Sequence, residues 1–270
     1  MLVFDRILCC PICRQNLGQR SPGDSHCADR CTTVLKASLR SAQTYPILDL
    51  TPEALTGTPT SQPLRTRLFQ TQAIAFTYER LLPALWAMGL RQSGIEHEGA
   101  RVVEWFSGGD GNGNSATALD LSCGTGIVTC RLLHDTLVNV VAIDYSAEML
   151  EELQTRCQNE GIDPERLALV RGDATSLPLQ PNSIDAVYSG AAMHCWPDAE
   201  VTVKQIHTAL KPDGKLYLTT FLKPLPSLIF RFFTPGEIKR IAIRAGFPSD
   251  CLNLTTSGIY ATLTAQKSGE

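Results

Sequence analysis

The feature that most constrains this chain is a short glycine turn between two apolar runs that each carry an acidic residue. Asp120 precedes Gly124 and Gly126, and the apolar run 137–143 ends on Asp144. Glycine accepts positive φ and lets a ligand approach the backbone closely, because it has no side chain. In doubly wound sheets, a carboxylate about twenty residues beyond such a turn binds a ribose. The pattern therefore predicts a parallel α/β sheet with a nucleoside site, and Asp144 as the ribose ligand.

The glycine count and the acidic residue before the turn distinguish two kinds of nucleoside ligand. A dinucleotide site uses G-x-G-x-x-G, in which a helix N-terminus meets a pyrophosphate. This chain instead has Asp120 ahead of a turn with two glycines. A carboxylate there repels phosphate and suits a ligand that carries an amino group. The pattern Asp-x-x-x-Gly-x-Gly resembles the first motif of class I S-adenosylmethionine (SAM) methyltransferases, and a redox dinucleotide fold is the alternative.

Later segments follow the order of that family. A strand-like run ends in Gly-Asp173-Ala174, and the segments 183–190 and 210–220 resemble the family's fourth and fifth strands. The resemblance implies an α/β, Rossmann-like fold with a seven-stranded, mostly parallel sheet and an antiparallel terminal hairpin. It also implies that Asp173 and Ala174 contact adenine. The full set of expected cofactor residues is Asp120, Ser122, Gly124, Gly126, Asp144, Tyr145, Asp173, Ala174 and Ser189.

The cysteines are clustered at the amino terminus. Five of the ten fall within residues 1–31, and two spaced pairs stand out, Cys10 with Cys13 and Cys27 with Cys31. Reduced thiols in two tight turns are typical of a structural zinc site. We therefore expect Zn²⁺ bound by these four residues, with Cys9 and His26 as possible substitutes for one of them. The alternative is that the cysteines are small buried apolar residues.

Composition divides the chain into three parts. Residues 1–50 form the predicted zinc-binding module, and residues 116–270 the SAM-binding domain. Between them, residues 51–115 contain a Thr/Pro-rich linker, a helical lid over 64–90 and a flexible Gly/Asn insertion. The lid has helical apolar spacing and supplies Phe76, Tyr78 and Trp86 as candidates to line a substrate pocket. The insertion lacks the Gly-Lys-Ser/Thr ending of a phosphate-binding loop, so we assign it no function.

The carboxy-terminal segment predicts a helix and a hairpin. Thr234 is a favourable N-cap, with proline at the first helical position and glutamate three residues on, so a helix is expected from there to Gly246. Two strands should follow, over 252–255 and 259–265. The aromatic residues of the preceding loop, which include Phe230 and Phe232, are candidates to wall the substrate site.

A closer resemblance extends over nearly the whole chain. The run 189–198 reads Ser-Gly-Ala-Ala-Met-His-Cys-Trp-Pro-Asp. Together with the runs 78–80 and 219–222 and the amino-terminal Cys-Pro-x-Cys, this run is similar to an uncharacterised group of methyltransferases from plastids and cyanobacteria. The zinc module also resembles that of the 23S ribosomal RNA guanine-N1 methyltransferases, with Cys31 where that family has histidine. The Gly/Asn insertion departs from both families.

The cofactor and the post-strand run together predict the chemistry. Methyl transfer from a sulfonium mainly needs an aligned nucleophile and a dry site, and an oxygen or nitrogen nucleophile also needs a base. His194 lies at the expected carboxyl edge of the sheet and is the candidate catalytic base. The run lacks the Asn/Asp-Pro-Pro-Tyr/Phe motif of base-amine methyltransferases. A small hydrophobic metabolite, such as a quinone, is the expected acceptor; the alternatives are a ribosomal RNA base methyltransferase and a non-catalytic binding module.

Charge and hydropathy restrict the partners and the location. The net charge of −3 gives no overall attraction for nucleic acid, which is not favoured as a partner. No run of eighteen uncharged apolar residues is present, so no membrane span is expected. The amino terminus is charged too early for a secretory signal. We expect a cytoplasmic protein, or a plastid stromal one if a transit peptide has been removed; neither motif nor composition specifies an oligomeric state.

Overall fold

The computed structural model describes residues 3–17, 44–57, 95–107, 116–223 and 230–269. Cys27, Cys31, His26, the expected lid over 64–90 and the Gly/Asn insertion 108–115 lie outside the described residues. Within them, eight strands form one sheet: β1 (Ile47–Asp49), β2 (Thr117–Leu121), β3 (Asn139–Asp144), β4 (Leu167–Arg171), β5 (Ile184–Ser189), β6 (Leu210–Phe221), β7 (Leu252–Ser257) and β8 (Tyr260–Gln266).

The sheet has the order β1-β4-β3-β2-β5-β6-β8-β7. All neighbours from β1 to β6 are parallel, whereas β8 pairs antiparallel with both β6 and β7. The strand order reverses at β2, which has β3 on one side and β5 on the other. In open α/β sheets ligands bind at the carboxyl ends of the strands beside such a switch point. The fold therefore places the glycine turn, which follows β2, at the expected binding crevice.

Six α-helices are described, and they cover both faces of the sheet: α1 (Pro52–Thr56), α2 (Ile95–Ser107), α3 (Ile127–Asp135), α4 (Ala147–Glu160), α5 (Ala199–Ala209) and α6 (Pro235–Ala245). Successive residues of β3 alternate between two apolar clusters, with Val140 in one and Val141 in the other. The first cluster contains α2, α3 and α4, and the second contains α5, α6 and the amino-terminal residues. Both faces are buried, which is the usual arrangement of a parallel sheet.

Local sequence signals explain where several helices begin and end. Thr234 and Glu237 form the capping box expected from the sequence, and α6 ends at Gly246 in the left-handed conformation. Ser146 caps α4 through the backbone N–H of Met149. The helix and the hairpin predicted for the carboxy-terminal segment are thus present, within one or two residues of the expected bounds.

The sheet has eight strands, not the seven predicted. The additional strand is β1, which pairs in parallel with the edge strand β4. Its short run Ile47–Asp49 is followed by Pro52, and the Asp49 carboxylate forms a 2.8 Å ion pair with Arg171 at the end of β4. Three residues carry too weak a periodicity to predict pairing. Strand β1 exists because β4 offers an open edge.

The amino-terminal segment packs directly against the sheet domain. Leu8 and Leu179 form an antiparallel bridge, and the backbone N–H of Cys9 donates to the carbonyl of Pro178 at 3.0 Å. Phe4 and Ile7 join the same buried cluster as α5 and α6. No helix in the described part of the chain is long and apolar enough to cross a membrane.

Candidate functional site

The glycine turn after β2 contains three residues with positive φ. These are Ser122 at 59°, Gly124 at 54° and Gly126 at 76°. Gly126 caps the start of α3, and a β-carbon there would lie 2.0 Å from Leu153 Cδ1. A β-carbon on Gly124 would meet nothing within 4 Å. Gly126 therefore serves packing, whereas Gly124 leaves the backbone open toward a cavity.

Asp144, at the tip of β3, is tied to that turn. Its Oδ2 accepts a 2.9 Å hydrogen bond from the Gly124 N–H, and its Oδ1 accepts one of 2.9 Å from the Ser146 N–H. Burial raises the pKa of Asp144, and these backbone donors oppose the rise. Each carboxylate oxygen has two lone pairs, so each retains capacity for a further donor. Such an acceptor pair suits the two hydroxyls of a ribose.

Asp120 lies beneath the turn rather than in the cavity. It is buried on β2, its Oδ2 accepts a 2.6 Å hydrogen bond from the Thr129 hydroxyl, and its Oδ1 has no partner among the described residues. Burial raises the pKa of Asp120 to about 7, an effect to which the charges of Asp144 and Glu98 add. An unpartnered acceptor of this kind beside a binding crevice fits a cationic ligand, because a buried carboxylate oxygen is costly without a partner.

Asp173 and Ala174 line the same cavity, next to the end of β4. Oδ1 of Asp173 accepts hydrogen bonds from the Thr175 N–H at 2.8 Å and from its hydroxyl at 2.7 Å. These bonds form a local turn that fixes the carboxylate at the cavity wall. The structure thus brings Asp173 to the same edge of the sheet as Asp144 and the glycine turn.

Tyr145 lines the cavity beside Asp144 and is held on two sides. Its hydroxyl donates a 2.6 Å hydrogen bond to Glu53 Oε1 on α1, and its backbone carbonyl accepts from Arg171 Nε at 3.0 Å. The Arg171 guanidinium also lies over the Tyr145 ring, 5.6 Å from its centroid. Glu53 was not predicted from the sequence, since it lies in a short helix remote from the motifs.

The segment after β5 forms the other wall of the cavity. Ala191 has a φ of 47°, and Trp196 Nε1 donates a 3.0 Å hydrogen bond to the Ser122 hydroxyl, across to the glycine turn. Cys195 also lines the cavity. Ser189 does not: it is fully buried, and its hydroxyl donates to the Leu121 carbonyl at 2.8 Å. The Ser189 side chain therefore holds two strands together.

His194 lies outside the cavity lining, one residue before Cys195. Its ring is surrounded by Phe221, Phe230 and Phe232, each with its ring centroid 5.4 Å from that of the histidine. Burial lowers the pKa of His194 to about 4, and its Nδ1 has no hydrogen-bond partner among the described residues. His194 is therefore neutral at pH 7, with a buried and unpartnered Nδ1 in an aromatic environment.

A buried polar network beneath the cavity was not predicted from the sequence. Glu98, on α2 and 1% exposed, accepts 2.8 Å hydrogen bonds from the hydroxyls of Tyr188, Thr219 and Tyr260. The Thr219 oxygen also accepts from the Ala191 N–H at 2.9 Å, which connects the network to the cavity wall. No sequence motif marks Glu98, because its partners come from three different strands.

The cavity is acidic and otherwise largely apolar or uncharged. None of its described lining residues is a lysine or arginine, and two are aspartates. The lining comprises Leu121, Ser122, Gly124, Ile143, Asp144, Tyr145, Ser146, Met149, Gly172, Asp173, Ala174, Gly190, Ala191, Ala192, Cys195, Trp196 and Pro197. Of the residues predicted to bind the cofactor, Asp120, Gly126 and Ser189 lie outside this lining.

The expected zinc site is described only in part. Cys10 and Cys13 lie on one tight turn, in which the Cys13 N–H approaches Cys10 Sγ at 3.5 Å and Arg14 has a φ of 60°. Cys9 is fully buried. Within the described ranges, no group of three or more cysteine, histidine, aspartate or glutamate side chains is arranged to hold a metal ion. The structure therefore describes one of the two predicted cysteine pairs, and the other pair, Cys27 and Cys31, lies outside the described residues.

Comparisons with known proteins agree with this geometry. Residues 119–218 match a family model described as a methyltransferase domain. An uncharacterized chloroplastic methyltransferase of Arabidopsis thaliana is 33% identical over 238 residues, which cover 80% of this chain and 62% of that protein. The chain thus spans less than two thirds of this relative's length.

Two further comparisons concern a quinone enzyme and a solved structure. The 2-phytyl-1,4-naphtoquinone methyltransferase of Nostoc punctiforme is 32% identical over 125 residues, 46% of this chain and 52% of that protein. The structure of phosphoethanolamine N-methyltransferase 2 of Haemonchus contortus in complex with S-adenosyl-L-methionine superposes with a TM-score of 0.62 at 17% identity, covering 78% of this chain and 61% of that chain. At this identity the likeness shows the fold alone.

Proposed function

Since the chain belongs to the class I SAM-dependent methyltransferases, we propose that it transfers the methyl group of SAM to a small, hydrophobic acceptor. The observation that carries this proposal is the cavity at the carboxyl ends of β2, β3 and β4, which has two aspartates and no described lysine or arginine in its lining. An acidic wall suits a ligand with a sulfonium and an ammonium group. It repels a polyanion such as RNA, and so disfavours ribosomal RNA as the acceptor.

We assign the cofactor contacts residue by residue. Asp144 would bind the ribose hydroxyls, since it lines the cavity and its two oxygens are each oriented by a backbone N–H group. Asp173 and Ala174 would hold the adenine, and Tyr145 would pack beside it. Gly124 and Ser122 would border the methionine part, with Asp120 supplying negative charge from below. When bound, SAM supplies an electrophilic methyl group on a good leaving group.

The protein's own contribution is alignment and exclusion of water. Trp196, Ala191 and Ala192 give the wall after β5 an apolar surface, which suits a hydrophobic acceptor. His194 is proposed as the general base for a hydroxyl acceptor: it lies outside the described lining but directly precedes Cys195, which lines the cavity, and its neutral ring has an unpartnered Nδ1 within the described residues. The partial likeness to a naphthoquinone methyltransferase makes reduced quinones the first acceptors to test.

We also propose a structural Zn²⁺ held by Cys10, Cys13, Cys27 and Cys31. The Cys10–Cys13 turn supports this, because a backbone N–H directed at a cysteine sulfur suits a metal-bound thiolate. Bound there, the metal would supply folding energy to the amino-terminal module. Metal analysis of freshly purified protein tests the proposal, and less than about 0.2 zinc per chain would reject it.

The chloroplastic relative favours a plastid location over a cytoplasmic one.

The cofactor is tested by isothermal titration calorimetry with S-adenosylhomocysteine (SAH). We expect saturable binding, and a loss of about tenfold or more in Asp144→Ala, equal to about 1.4 kcal/mol. Asp163→Ala is the matched control, since Asp163 caps a turn on the surface away from the cavity. Absence of SAH binding at millimolar concentration would reject the proposed function. Transfer of radiolabelled methyl from SAM to reduced naphthoquinones, with a ribosomal RNA fragment in parallel, then distinguishes the acceptors.

A further inference from the structure

Arg14 connects the amino-terminal cysteine turn to the segment that follows Asp173 and Ala174. Its Nη1 donates a 2.7 Å hydrogen bond to the Leu177 carbonyl, and its Nη2 donates one of 2.9 Å to the Leu179 carbonyl. These partners lie more than 160 residues away in the sequence. A planar guanidinium holds two acceptors in one fixed geometry, whereas a lysine ammonium is a compact donor on a flexible stem.

The position of Arg14 is itself fixed by the turn that it ends. Its backbone N–H donates to the Cys10 carbonyl at 2.9 Å, and its φ of 60° lies in the left-handed region. That conformation is unfavourable for a residue with a side chain and persists only where other contacts hold it. The Cys10–Cys13 turn and the two carbonyl contacts together provide such contacts.

The segment held by Arg14 lies next to a residue of the cavity lining. Pro178 lies between the two carbonyl groups that Arg14 binds, and a β-carbon placed on Gly172 would lie 3.5 Å from Pro178 Cδ. Gly172 lines the cavity immediately before Asp173. At the same segment, the Ser176 hydroxyl donates to the Pro11 carbonyl at 3.3 Å. Contacts from the amino-terminal turn therefore hold residues 176–179, which closely follow the residues 172–174 that line the cavity.

We propose that Arg14 is a positioning residue for the adenine subsite, which keeps Asp173 and Ala174 at the distance needed to recognise the adenine ring. This inference rests on the proposed function, because it assigns the adenine to that loop. This role of Arg14 would let the amino-terminal turn contribute to recognition of SAM, the methyl donor. The side chain acts through the loop and does not itself line the described cavity.

The test compares SAH with S-inosylhomocysteine, in which a carbonyl replaces the adenine amino group. Calorimetry on the wild-type protein should give at least about tenfold tighter binding of SAH, since loss of a hydrogen bond to a charged group costs that much. Arg14→Ala should weaken SAH binding by about fivefold and lower the preference for SAH, and Arg14→Lys should be intermediate. Arg6→Ala is the matched control, because Arg6 is an exposed arginine of the same segment.

Each outcome separates the inference from the proposed function. Wild-type protein that binds neither ligand would overturn both. Wild-type selectivity that persists unchanged in Arg14→Ala would overturn only the inference. An equal loss of both ligands in a folded Arg14→Ala would also overturn it, because that result indicates a general structural effect. If Arg14→Ala does not fold by circular dichroism, Arg14→Lys and Ser176→Ala are measured instead, and unchanged selectivity in both would reject the inference.

Discussion

The hydroxyl of Tyr188 donates a 2.8 Å hydrogen bond to Oε1 of Glu98, which joins the centre of the sheet to helix α2. Glu98 is buried, so its carboxylate depends on such donors for its solvation. The Thr219 and Tyr260 hydroxyls donate to the same carboxylate, and Thr219 in turn holds the Ala191 N–H at the cavity wall. A polar network under the sheet edge thus supports the segment that faces the cavity.

Removal of the Tyr188 hydroxyl should destabilise the protein measurably. Tyr188→Phe leaves a buried carboxylate with one donor fewer, and we expect a loss of about 1.5–3 kcal/mol in the free energy of unfolding. Tyr45→Phe is the matched control, because the buried Tyr45 hydroxyl donates to backbone carbonyls and should cost only about 0.5–1.5 kcal/mol. Urea denaturation measures both. Equal losses in the two variants would contradict a special role for the charged acceptor.

The two glycines of the turn should separate stability from binding. Gly126→Ala places a methyl group against Leu153 at positive φ, and should reduce stability by about 2–5 kcal/mol. Gly124→Ala meets no atom within 4 Å, and should cost about 1–2 kcal/mol of backbone strain alone. Because Gly124 lines the cavity, its substitution should weaken SAH binding by about tenfold or more. Thermal unfolding measures the stability of both variants, and calorimetry measures their SAH binding. If Gly124→Ala bound SAH as tightly as the wild-type protein, the ligand would not lie against Gly124.

Because of His194, the free energy of unfolding of the protein should decrease at acidic pH. Burial lowers its pKa to about 4 from 6.5, so the folded state resists a proton that the unfolded state accepts. The stabilisation is complete above pH 6.5 and is lost as the pH falls toward 4, by about 3 kcal/mol in total. His194→Phe should remove this component, whereas the exposed His97→Phe should keep it. Urea denaturation midpoints measured between pH 4 and 7 test this prediction. If His194→Phe lost as much stability toward acidic pH as the wild-type protein, the effect would not come from His194.

Asp120 should make the preference for SAM over SAH depend on pH. With a pKa raised to about 7, this carboxyl is mostly neutral at pH 6 and anionic at pH 8. The sulfonium of SAM is attracted by the anion and uncharged SAH sulfur is not, so the ratio of SAM to SAH affinity should rise about tenfold over this range. Calorimetry with both ligands measures the ratio. In Asp120→Asn the ratio of SAM to SAH affinity should no longer depend on pH. If the ratio still rose with pH in this variant, another group would cause the effect.

The sequence predicted the residues that the fold brings together around the cavity, because their positions follow from local rules. A turn after β2, an acidic tip on β3 and a Gly-Asp-Ala segment after β4 meet wherever parallel strands end at one edge. Ser122, Gly124, Asp144, Tyr145, Asp173 and Ala174 all line the cavity as a result. Their contacts with a ligand stay a prediction.

Other residues could not be assigned from their neighbours in the chain. Ser189 occupies the right strand end, but its hydroxyl bonds to Leu121 and does not reach the cavity lining. Glu98 has no motif, since its three hydroxyl partners converge only after β5, β6 and β8 are aligned. Strand β1 is too short for a periodic signal and depends on pairing with β4.

By itself the sequence predicted the class of fold and the turn, strand tip and loop that line the cavity, because periodicity, turn residues and capping act over a few residues. The tertiary structure alone decided which buried groups support that cavity. The burial that brings the pKa of His194 to about 4, the carboxylate of Glu98 under the sheet and the contact of Arg14 with the loop after β4 all depend on residues distant in sequence. Such contacts arise from packing between elements, and packing has no signature within a single element.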